Sequence, residues 1–220
     1  MNLKYKKYDH ISFDLWLTII KSNPEFKSKR NQLFKDFFNI ESSIVEVSQK
    51  IRYFDLLCNK INEKTGLNID TFEIYYLILS SLDVNIEVID TNVLTDFYLK
   101  TEELFLEYKP QLLFENIKEL FEEIKNNGTT MNILSNTAFI KGTTLRKILN
   151  HYEIDKYFLF QIYSDECEFS KPNNSIFDLV YQQVNKNKKT DKSKILHVGD
   201  NSVADFNGAK SFGFDAHLIQ

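Results

Sequence analysis

Three short apolar runs of this chain each stop at a small or polar residue. The runs are HISF before Asp14, MNIL before Ser135, and KILHV before Gly199. Short apolar runs with such boundaries are typical of buried strands. The segments TLRKILNHYEI and NNSIFDLVYQQVNKN lie between the later two runs and repeat apolar residues at helical spacing. This alternation predicts an α/β fold with a parallel sheet and right-handed crossovers.

The residues that follow these runs are candidates for a functional site. In open parallel sheets, ligands bind beyond the carboxyl ends of the strands. Asp14, Ser135 and Asp200 each follow one of the three runs. We therefore expect these three side chains to converge at one edge of the sheet.

From about Lys21 to Lys100 the pattern changes from strands to helices. The segments FKSKRNQLFKDFF, VEVSQKIRYFDLLCNKINEKTG and DTFEIYYLILSSL all have the periodicity of amphipathic helices. Asp70 is placed to cap the third of these helices. We expect residues 1–20 and 101–220 to form the α/β core, and residues 21–100 to form an all-α insertion.

Composition and charge exclude several classes of partner. The 220 residues include 27 Lys and Arg against 31 Asp and Glu, so the net charge is −4. No global positive field attracts nucleic acid or an anionic membrane. The chain shows no signal-peptide pattern, and no uncharged run approaches the roughly 18 residues of a membrane span. Cys58 and Cys167 fit no metal-ligand pattern and are expected to be buried free thiols. We expect a cytoplasmic protein with a small-molecule partner, and the sequence leaves its oligomeric state open.

Four polar positions near the predicted strand ends could carry chemistry. Asp14 could act as a nucleophile or a metal ligand, although an aspartate that only caps a loop fits equally well. Ser135 and Asn136 could bind an oxyanion, but both residue types also cap helices. Lys171 precedes Pro172 and could neutralise negative charge, although most lysines in such loops are solvated.

The segment HVGDNSVADF is the most informative of the chain. Asp200 and Asp205 lie five residues apart, directly after a predicted strand. Two neighbouring carboxylates repel each other unless a cation offsets the repulsion, and Mg²⁺ prefers oxygen ligands of this kind. The spacing therefore favours a metal site over a purely structural pair.

Taken in order, FDLWLT, ILSN, SKP and GDNSVAD resemble the four motifs of the haloacid dehalogenase (HAD) superfamily of hydrolases. The resemblance extends from Phe13 to about Phe214. It implies a Rossmann-like core of parallel strands flanked by helices. It also implies that the helical block is a cap subdomain, inserted after the first motif, that closes over the active site.

The resemblance also implies roles for the motif residues. Asp14 would be the nucleophile, forming an aspartyl-phosphate in phosphatases or an aspartyl ester in dehalogenases. Ser135 and Asn136 would bind the substrate, with Ser135 holding a phosphoryl oxygen. Lys171 would steady the charges of nucleophile and substrate. We expect Asp14 to be exposed to solvent at the end of its strand, because it must attack.

A magnesium site follows from the same resemblance. In the phosphatase branch, Mg²⁺ would be held by Asp14, the backbone carbonyl of Trp16, and Asp200. Asp205 would be a further ligand or an anchor for metal-bound water.

Trp16 departs from the pattern of the phosphatases. Those enzymes usually carry a second aspartate there, as general acid and base, and an indole can do neither job. The 2-haloacid dehalogenases carry an aromatic residue at this position, but they work without metal and lack the GD…D form that Asp200 and Asp205 retain. Phosphonoacetaldehyde hydrolases lack the second aspartate and keep Mg²⁺, but need a lysine in the cap. The cap candidates are Lys21, Lys27, Lys29, Lys35, Lys50 and Lys60.

Three hypotheses follow from this conflict. The leading one is a Mg²⁺-dependent phosphatase that acts on a small phosphorylated metabolite. The second is a metal-independent 2-haloacid dehalogenase, for which Arg30 or Arg52 would be the cationic residue of the cap. The third is a non-catalytic domain that binds Mg²⁺ or a ligand and has lost turnover through Trp16.

Overall fold

The computed structural model describes residues 3–186 and 189–219. The elements, in chain order, are β1 (His10–Phe13), β2 (Ile20–Lys21), α1 (Pro24–Phe37), α2 (Ile44–Thr65), α3 (Thr71–Ser80), α4 (Thr91–Glu107), β3 (Gln111–Leu112), α5 (Ile117–Asn126), β4 (Thr130–Ser135), α6 (Gly142–His151), β5 (Phe160–Tyr163), α7 (Ser164–Cys167), α8 (Asn174–Asn185), β6 (Ile195–Gly199), a π-helical turn (Ser202–Asn207), α9 (Gly208–Phe212) and β7 (Asp215–Leu218).

A five-stranded parallel sheet forms the centre of the molecule. The strand order is β5-β4-β1-β6-β7, and every neighbouring pair is parallel. The three predicted strands are β1, β4 and β6, and they occupy the three central positions. β1 pairs with both of the others, and its His10 lies opposite Thr130 on one side and Ile195 on the other. The predicted α/β fold with a parallel sheet is confirmed.

Two strands of the five-stranded sheet were not predicted from the sequence. They are the edge strands β5, with sequence FQIY, and β7, with sequence DAHL, and most of their residues are half-buried. An edge strand is covered less completely than a central strand, so it needs no continuous apolar run. Their mixed composition therefore gave no strand signal.

The helices α1 to α4 share a hydrophobic cluster separate from the one around the central strands. Its buried members include Phe34, Ile51, Tyr75 and Phe97. Helix α4 connects the two clusters, since Phe97 belongs to this one and Phe105 packs against the sheet. Helix α4 thus runs without interruption through residue 100, where the predicted core begins again. The division at residues 20/21 and 100/101 stays a prediction.

The start of α3 has the predicted cap. The Asp70 carboxylate accepts a hydrogen bond from the Phe72 backbone N–H, and the Glu73 side chain accepts one from the Asp70 backbone N–H. This reciprocal arrangement is a capping box, and it satisfies donors that the first turn of a helix leaves unpaired.

Two smaller expectations can be compared with the structure. Cys58 and Cys167 are both free thiols, as predicted, but only Cys58 is buried, so the expected burial of Cys167 is wrong. Within residues 3–186 and 189–219, no helix combines the length and the apolar character that crossing a bilayer requires.

Candidate active site

A tight turn fixes Asp14 at the carboxyl end of β1. The Asp14 backbone N–H donates to the Val198 carbonyl at 2.8 Å, which continues the pairing of β1 with β6. The Leu15 carbonyl then accepts hydrogen bonds from the N–H groups of both Ile19 and Ile20. Leu17, at the apex, has a positive φ of 57°. The chain therefore reverses within a few residues of the strand and leaves Asp14 at its tip.

The Lys171 ammonium lies between two carboxylates. Its Nζ is 2.7 Å from Asp14 Oδ1 and 2.6 Å from Asp205 Oδ1, and it also donates to the Leu134 carbonyl at 2.9 Å. Only 2% of the lysine is exposed. An ammonium has three N–H donors, and here all three have acceptors. Lys171 thus joins the ends of β1 and β4 to the segment after β6.

The residues at the end of β4 position this lysine. The Asn136 side chain accepts from the Lys171 backbone N–H at 2.8 Å and donates to the Lys171 carbonyl at 3.0 Å. Ser135 is fully buried, and its hydroxyl donates to the Asn136 carbonyl at 3.2 Å. The substrate-binding roles of Ser135 and Asn136 stay predictions, and the Asn136 amide has a positioning role in this geometry.

Asp205 accepts three hydrogen bonds. Besides Lys171, its Oδ1 contacts His197 Nε2 at 3.0 Å, and its Oδ2 accepts the Asn201 backbone N–H at 3.0 Å. Gly199 makes this approach feasible, because a Cβ at that position would lie 2.2 Å from the Asp205 Cγ. His197 was missed from the sequence, since a histidine within a buried strand is more often a core residue than part of a site.

Three carboxylates meet at this point and could hold a metal ion. An oxygen from each of Asp14, Asp200 and Asp205 lies within 4.8 Å of the others. The carbonyl of Trp16, two residues after Asp14, accepts no hydrogen bond from the described residues. Hard oxygen donors of this kind suit a hard divalent cation. Asp205 has the least free capacity of the three, because its hydrogen bonds occupy three of its four lone-pair positions.

The carboxylates differ in acidity. Burial raises the pKa of Asp14 to about 7, even though Lys171 opposes this shift. Burial also raises the pKa of Asp200. Burial acts in the same direction on Asp205, but Lys171 and His197 outweigh it and hold the pKa of Asp205 below its ordinary value. The lysine carries its charge, because Asp14 and Asp205 raise its pKa against the effect of burial.

The expected solvent exposure of Asp14 is wrong. Only 6% of the residue is exposed. The cause is Lys171, which takes one carboxylate oxygen as its acceptor inside the protein. Asp14 lines a cavity between the sheet and the helices.

The cavity above Asp14 has a volume of about 470 Å³. The sheet side contributes Asp14, Trp16, Lys171, Asp200 and Asp205 to its walls. The helical side contributes Phe26, Lys27 and Arg30 from α1, and Asp55, Asn59 and Glu63 from α2. The cavity therefore lies between the sheet and the helices. Its size is ordinary for a small-molecule site.

The helices contact the sheet directly around this cavity. Asn201 Nδ2 donates to Glu63 Oε1 at 2.6 Å, next to Asp200. The Gly66 carbonyl, at the end of α2, accepts from the Ser170 backbone N–H and from Asn173 Nδ2, both at 3.0 Å. Asn68 Oδ1 accepts from the Ser164 hydroxyl at 2.7 Å. The loop after α2 is thus bonded to the loop that carries Lys171.

Trp16 is half-buried and forms part of the cavity wall. Its ring lies 6.1 Å from the Phe105 ring, measured between centroids. The indole packs against an aromatic side chain, and position 16 supplies no acid to a leaving group.

Sequence reasoning did not identify three residues of α2 that line the cavity. Asp55, Asn59 and Glu63 recur at intervals of four residues, so they share one face of α2. That spacing is visible in the sequence, but it does not reveal which face of the helix meets the sheet.

The sequence profile of the haloacid dehalogenase-like hydrolase family matches residues 11–219. The chain belongs to this family. A curated relative, the Rhythmically expressed gene 2 protein of Drosophila melanogaster, is 27% identical over 106 residues. That match covers 48% of this chain and 38% of the relative, so it spans less than half of either protein.

Solved structures of HAD proteins share the fold. The candidate HAD-hydrolase YfnB from Bacillus subtilis, bound to magnesium, aligns with a TM-score of 0.72 and 17% identity over 97% of this chain and 89% of that chain. A HAD phosphatase from Thermococcus onnurineus aligns with a TM-score of 0.70 and 20% identity over 96% and 86%. A 2-haloacid dehalogenase also aligns, so the fold does not separate the two activities.

Proposed function

We propose that this HAD-family chain is a Mg²⁺-dependent phosphatase that acts on a small phosphorylated metabolite. The observation that carries the proposal is the buried arrangement in which Lys171 bridges Asp14 and Asp205 while Asp200 stands beside them. A carboxylate in contact with a fixed ammonium is suited to attack an anionic phosphoryl group, because the lysine offsets the charge that both partners bring. The phosphatase relative of similar fold supports the same activity.

In the first step, an Asp14 carboxylate oxygen attacks the phosphorus atom. A P–O bond forms to Asp14, and the P–O bond to the leaving group breaks, with its electron pair going to the leaving oxygen. Lys171 offsets the negative charge throughout. The proton that the leaving oxygen needs comes from water, from the substrate or from a helical side chain, because Trp16 has none to give.

In the second step, water attacks the phosphorus atom of the aspartyl-phosphate. A P–O bond forms to the water oxygen, the bond between phosphorus and the Asp14 oxygen breaks, and its electron pair restores the carboxylate. Both hydrogens of the water leave with the phosphate, as dihydrogen phosphate. Asn136 keeps Lys171 in place through both steps by binding its backbone at two points.

The residues present fit a Mg²⁺ ion. Asp14, Asp200 and the Trp16 carbonyl would hold it, and Asp205 would contribute through its remaining lone pair or through water. When bound, the ion supplies positive charge beside the phosphoryl oxygens. The magnesium-bound relative of similar fold supports this choice of ion.

The helical block would act as the cap of the site. Residues 21–100 include the α1 and α2 side chains that close the cavity over Asp14. Substrate identity would then be set by these side chains. We expect the enzyme to act in the cytoplasm, with no nucleic-acid or membrane partner.

Dehalogenation is the second candidate, and Trp16 is the observation that favours it. Halide leaves without a proton, so the missing acid would do no harm in that reaction. Release of chloride from 2-chloropropionate in the absence of metal would establish this activity and overturn the phosphatase proposal.

Hydrolysis of p-nitrophenyl phosphate tests the proposal. Its leaving group needs little protonation, so the assay tests Asp14 and the metal and is insensitive to Trp16. We expect turnover that requires Mg²⁺, stops with EDTA, and disappears in Asp14→Asn. The matched control is Asp96→Asn, at an exposed position on α4, which we expect to keep full activity. Turnover that persists in EDTA or in Asp14→Asn would contradict the proposal.

A further inference from the structure

Arg30 lines the catalytic cavity without a direct contact to an acidic side chain. Among the described residues, no carboxylate oxygen lies within 4.0 Å of its guanidinium. The residue is half-buried as a whole, and burial lowers the pKa of its guanidinium. The cavity's other enclosed cation, Lys171, is paired with two carboxylates.

The guanidinium is held in a fixed orientation. Its Nε and Nη2 both donate to Asn31 Oδ1, at 3.2 and 2.9 Å, and the Asn31 amide donates to the Ser48 hydroxyl at 3.1 Å. Its central carbon lies 4.5 Å from the centre of the Phe139 ring and 5.9 Å from that of Phe26. An aromatic face and a side-chain amide thus position the group without neutralising it.

Part of the hydrogen-bonding capacity of Arg30 is unused. A guanidinium has five N–H donors, and Asn31 accepts from two of them. Within residues 3–186 and 189–219, the two N–H groups on Nη1 and the second one on Nη2 have no protein acceptor. These three lie at the end of the fork, the edge that binds a carboxylate or a phosphate through two parallel hydrogen bonds.

The nearest acids of the helical side have other partners. Asp55 is paired with Arg52 at 2.9 Å, and Glu63 accepts from Asn201 at 2.6 Å. Asp55 attracts Arg30 only from beyond contact distance. Because the guanidinium has no direct carboxylate contact and keeps unused N–H donors, we expect an anionic ligand to pair with it. Lys27, one turn earlier on α1, also lines the cavity and adds positive charge at the same end.

We propose that Arg30 binds a second oxyanion of the substrate, so that the substrate class is a small phosphorylated metabolite with a further carboxylate or phosphate group. This inference rests on the proposed function, because it assumes that the first phosphoryl group lies at Asp14. The two anionic groups would occupy opposite walls of the cavity, one on the sheet side and one on α1.

Binding of paired phosphonates tests the inference without any need for turnover. Each probe is an alkyl chain with a phosphonate at one end. The other end carries a carboxylate in the first probe, a second phosphonate in the second, and a neutral amide in the third. Dissociation constants are measured by calorimetry with Mg²⁺ present. The proteins are the wild type, Arg30→Gln, Arg30→Lys, and Arg146→Gln as the matched control, since Arg146 lies outside the cavity, pairs with Glu166 and loses the same charge.

We expect the wild type to bind at least one anionic probe about 10- to 100-fold more tightly than the amide, the range typical of hydrogen bonds to a charged group. This preference should vanish in Arg30→Gln, return in part in Arg30→Lys, and persist in Arg146→Gln. The anionic probe that binds more tightly shows whether the second group of the substrate is a carboxylate or a phosphate.

Two results would overturn the inference. One is a wild type that binds the anionic and amide probes equally. The other is an Arg30→Gln protein that loses affinity for all probes by one common factor, which indicates a structural role. Either result, together with Mg²⁺-dependent hydrolysis of p-nitrophenyl phosphate, leaves the phosphatase proposal intact. Absence of both hydrolysis and phosphonate binding overturns both proposals.

Discussion

Replacing Lys171 with methionine removes the charge that holds the site together and keeps most of the side chain's apolar volume. The ammonium is 2% exposed and lies 2.7 and 2.6 Å from two carboxylate oxygens. Without it, Asp14 and Asp205 face each other with no intervening cation. Removing one partner of a buried ion pair typically destabilises a protein by about 3–5 kcal/mol.

The lower end of that range is expected here. The pKa of Asp14 is already about 7, so this carboxyl takes up a proton readily once the lysine is gone. Protonation removes one of the two repelling charges. We therefore predict that Lys171→Met lowers the free energy of unfolding by about 3 kcal/mol near neutral pH.

Urea unfolding followed by circular dichroism measures this change. The buffer should contain EDTA, because a bound ion would add stability of its own. A double-mutant cycle with Asp205→Asn isolates the contact, and we expect a coupling energy of at least about 1 kcal/mol. A Lys171→Met protein within about 1 kcal/mol of the wild type, or one whose effect simply adds to that of Asp205→Asn, would refute the reasoning.

Three further predictions concern stability and turnover. His10 is fully buried, and burial lowers its pKa from 6.5 to about 4. Below pH 6.5 the unfolded chain therefore binds a proton that the folded chain excludes. The contribution of His10 to the free energy of unfolding falls by about 2 kcal/mol between about pH 7 and pH 5. Urea unfolding at both pH values should show a smaller decline in His10→Gln than in the wild type, and equal declines would contradict this. Gly199→Ala places a Cβ against the Asp205 carboxylate. We therefore expect the free energy of unfolding, measured in urea, to fall by about 1–3 kcal/mol and phosphatase turnover to be lost. Unchanged turnover would show that Asp205 needs no such close approach. Trp16→Asp should supply a general acid and raise turnover of alkyl phosphates by about 10²–10⁴-fold, with little gain for p-nitrophenyl phosphate. Equal gains for both substrates in a phosphate-release assay would exclude a general-acid role for the new aspartate.

The central half of the fold could be predicted because its signals are local. β1, β4 and β6 are buried on both faces, so their sequences are continuous apolar runs, and each run ends at a polar residue. β5 and β7 are covered on fewer sides and gave no such run. The cap of α3 at Asp70 was predictable for the same reason, since capping depends on neighbouring residues.

The candidate site was predictable only in part, because half of its walls come from distant segments. The motif order singled out Asp14, Lys171 and Asp205, and the structure brings their charged atoms into contact. Arg30 and Glu63 lie on helices whose orientation follows from tertiary packing, which no local pattern records. The burial of Asp14, which the sequence alone had placed in solvent, likewise involves a distant residue, because Lys171 contacts its carboxylate inside the protein.

The proposed mechanism requires that Asp14 forms a covalent bond to phosphorus. Rapid acid quenching during turnover of p-nitrophenyl phosphate, followed by mass spectrometry of peptides, tests that claim directly. We predict that the peptide containing Asp14 gains the mass of one phosphoryl group, and that Asp14→Asn shows no gain. Turnover without a phosphorylated peptide, or with the phosphoryl group on another residue, would contradict it.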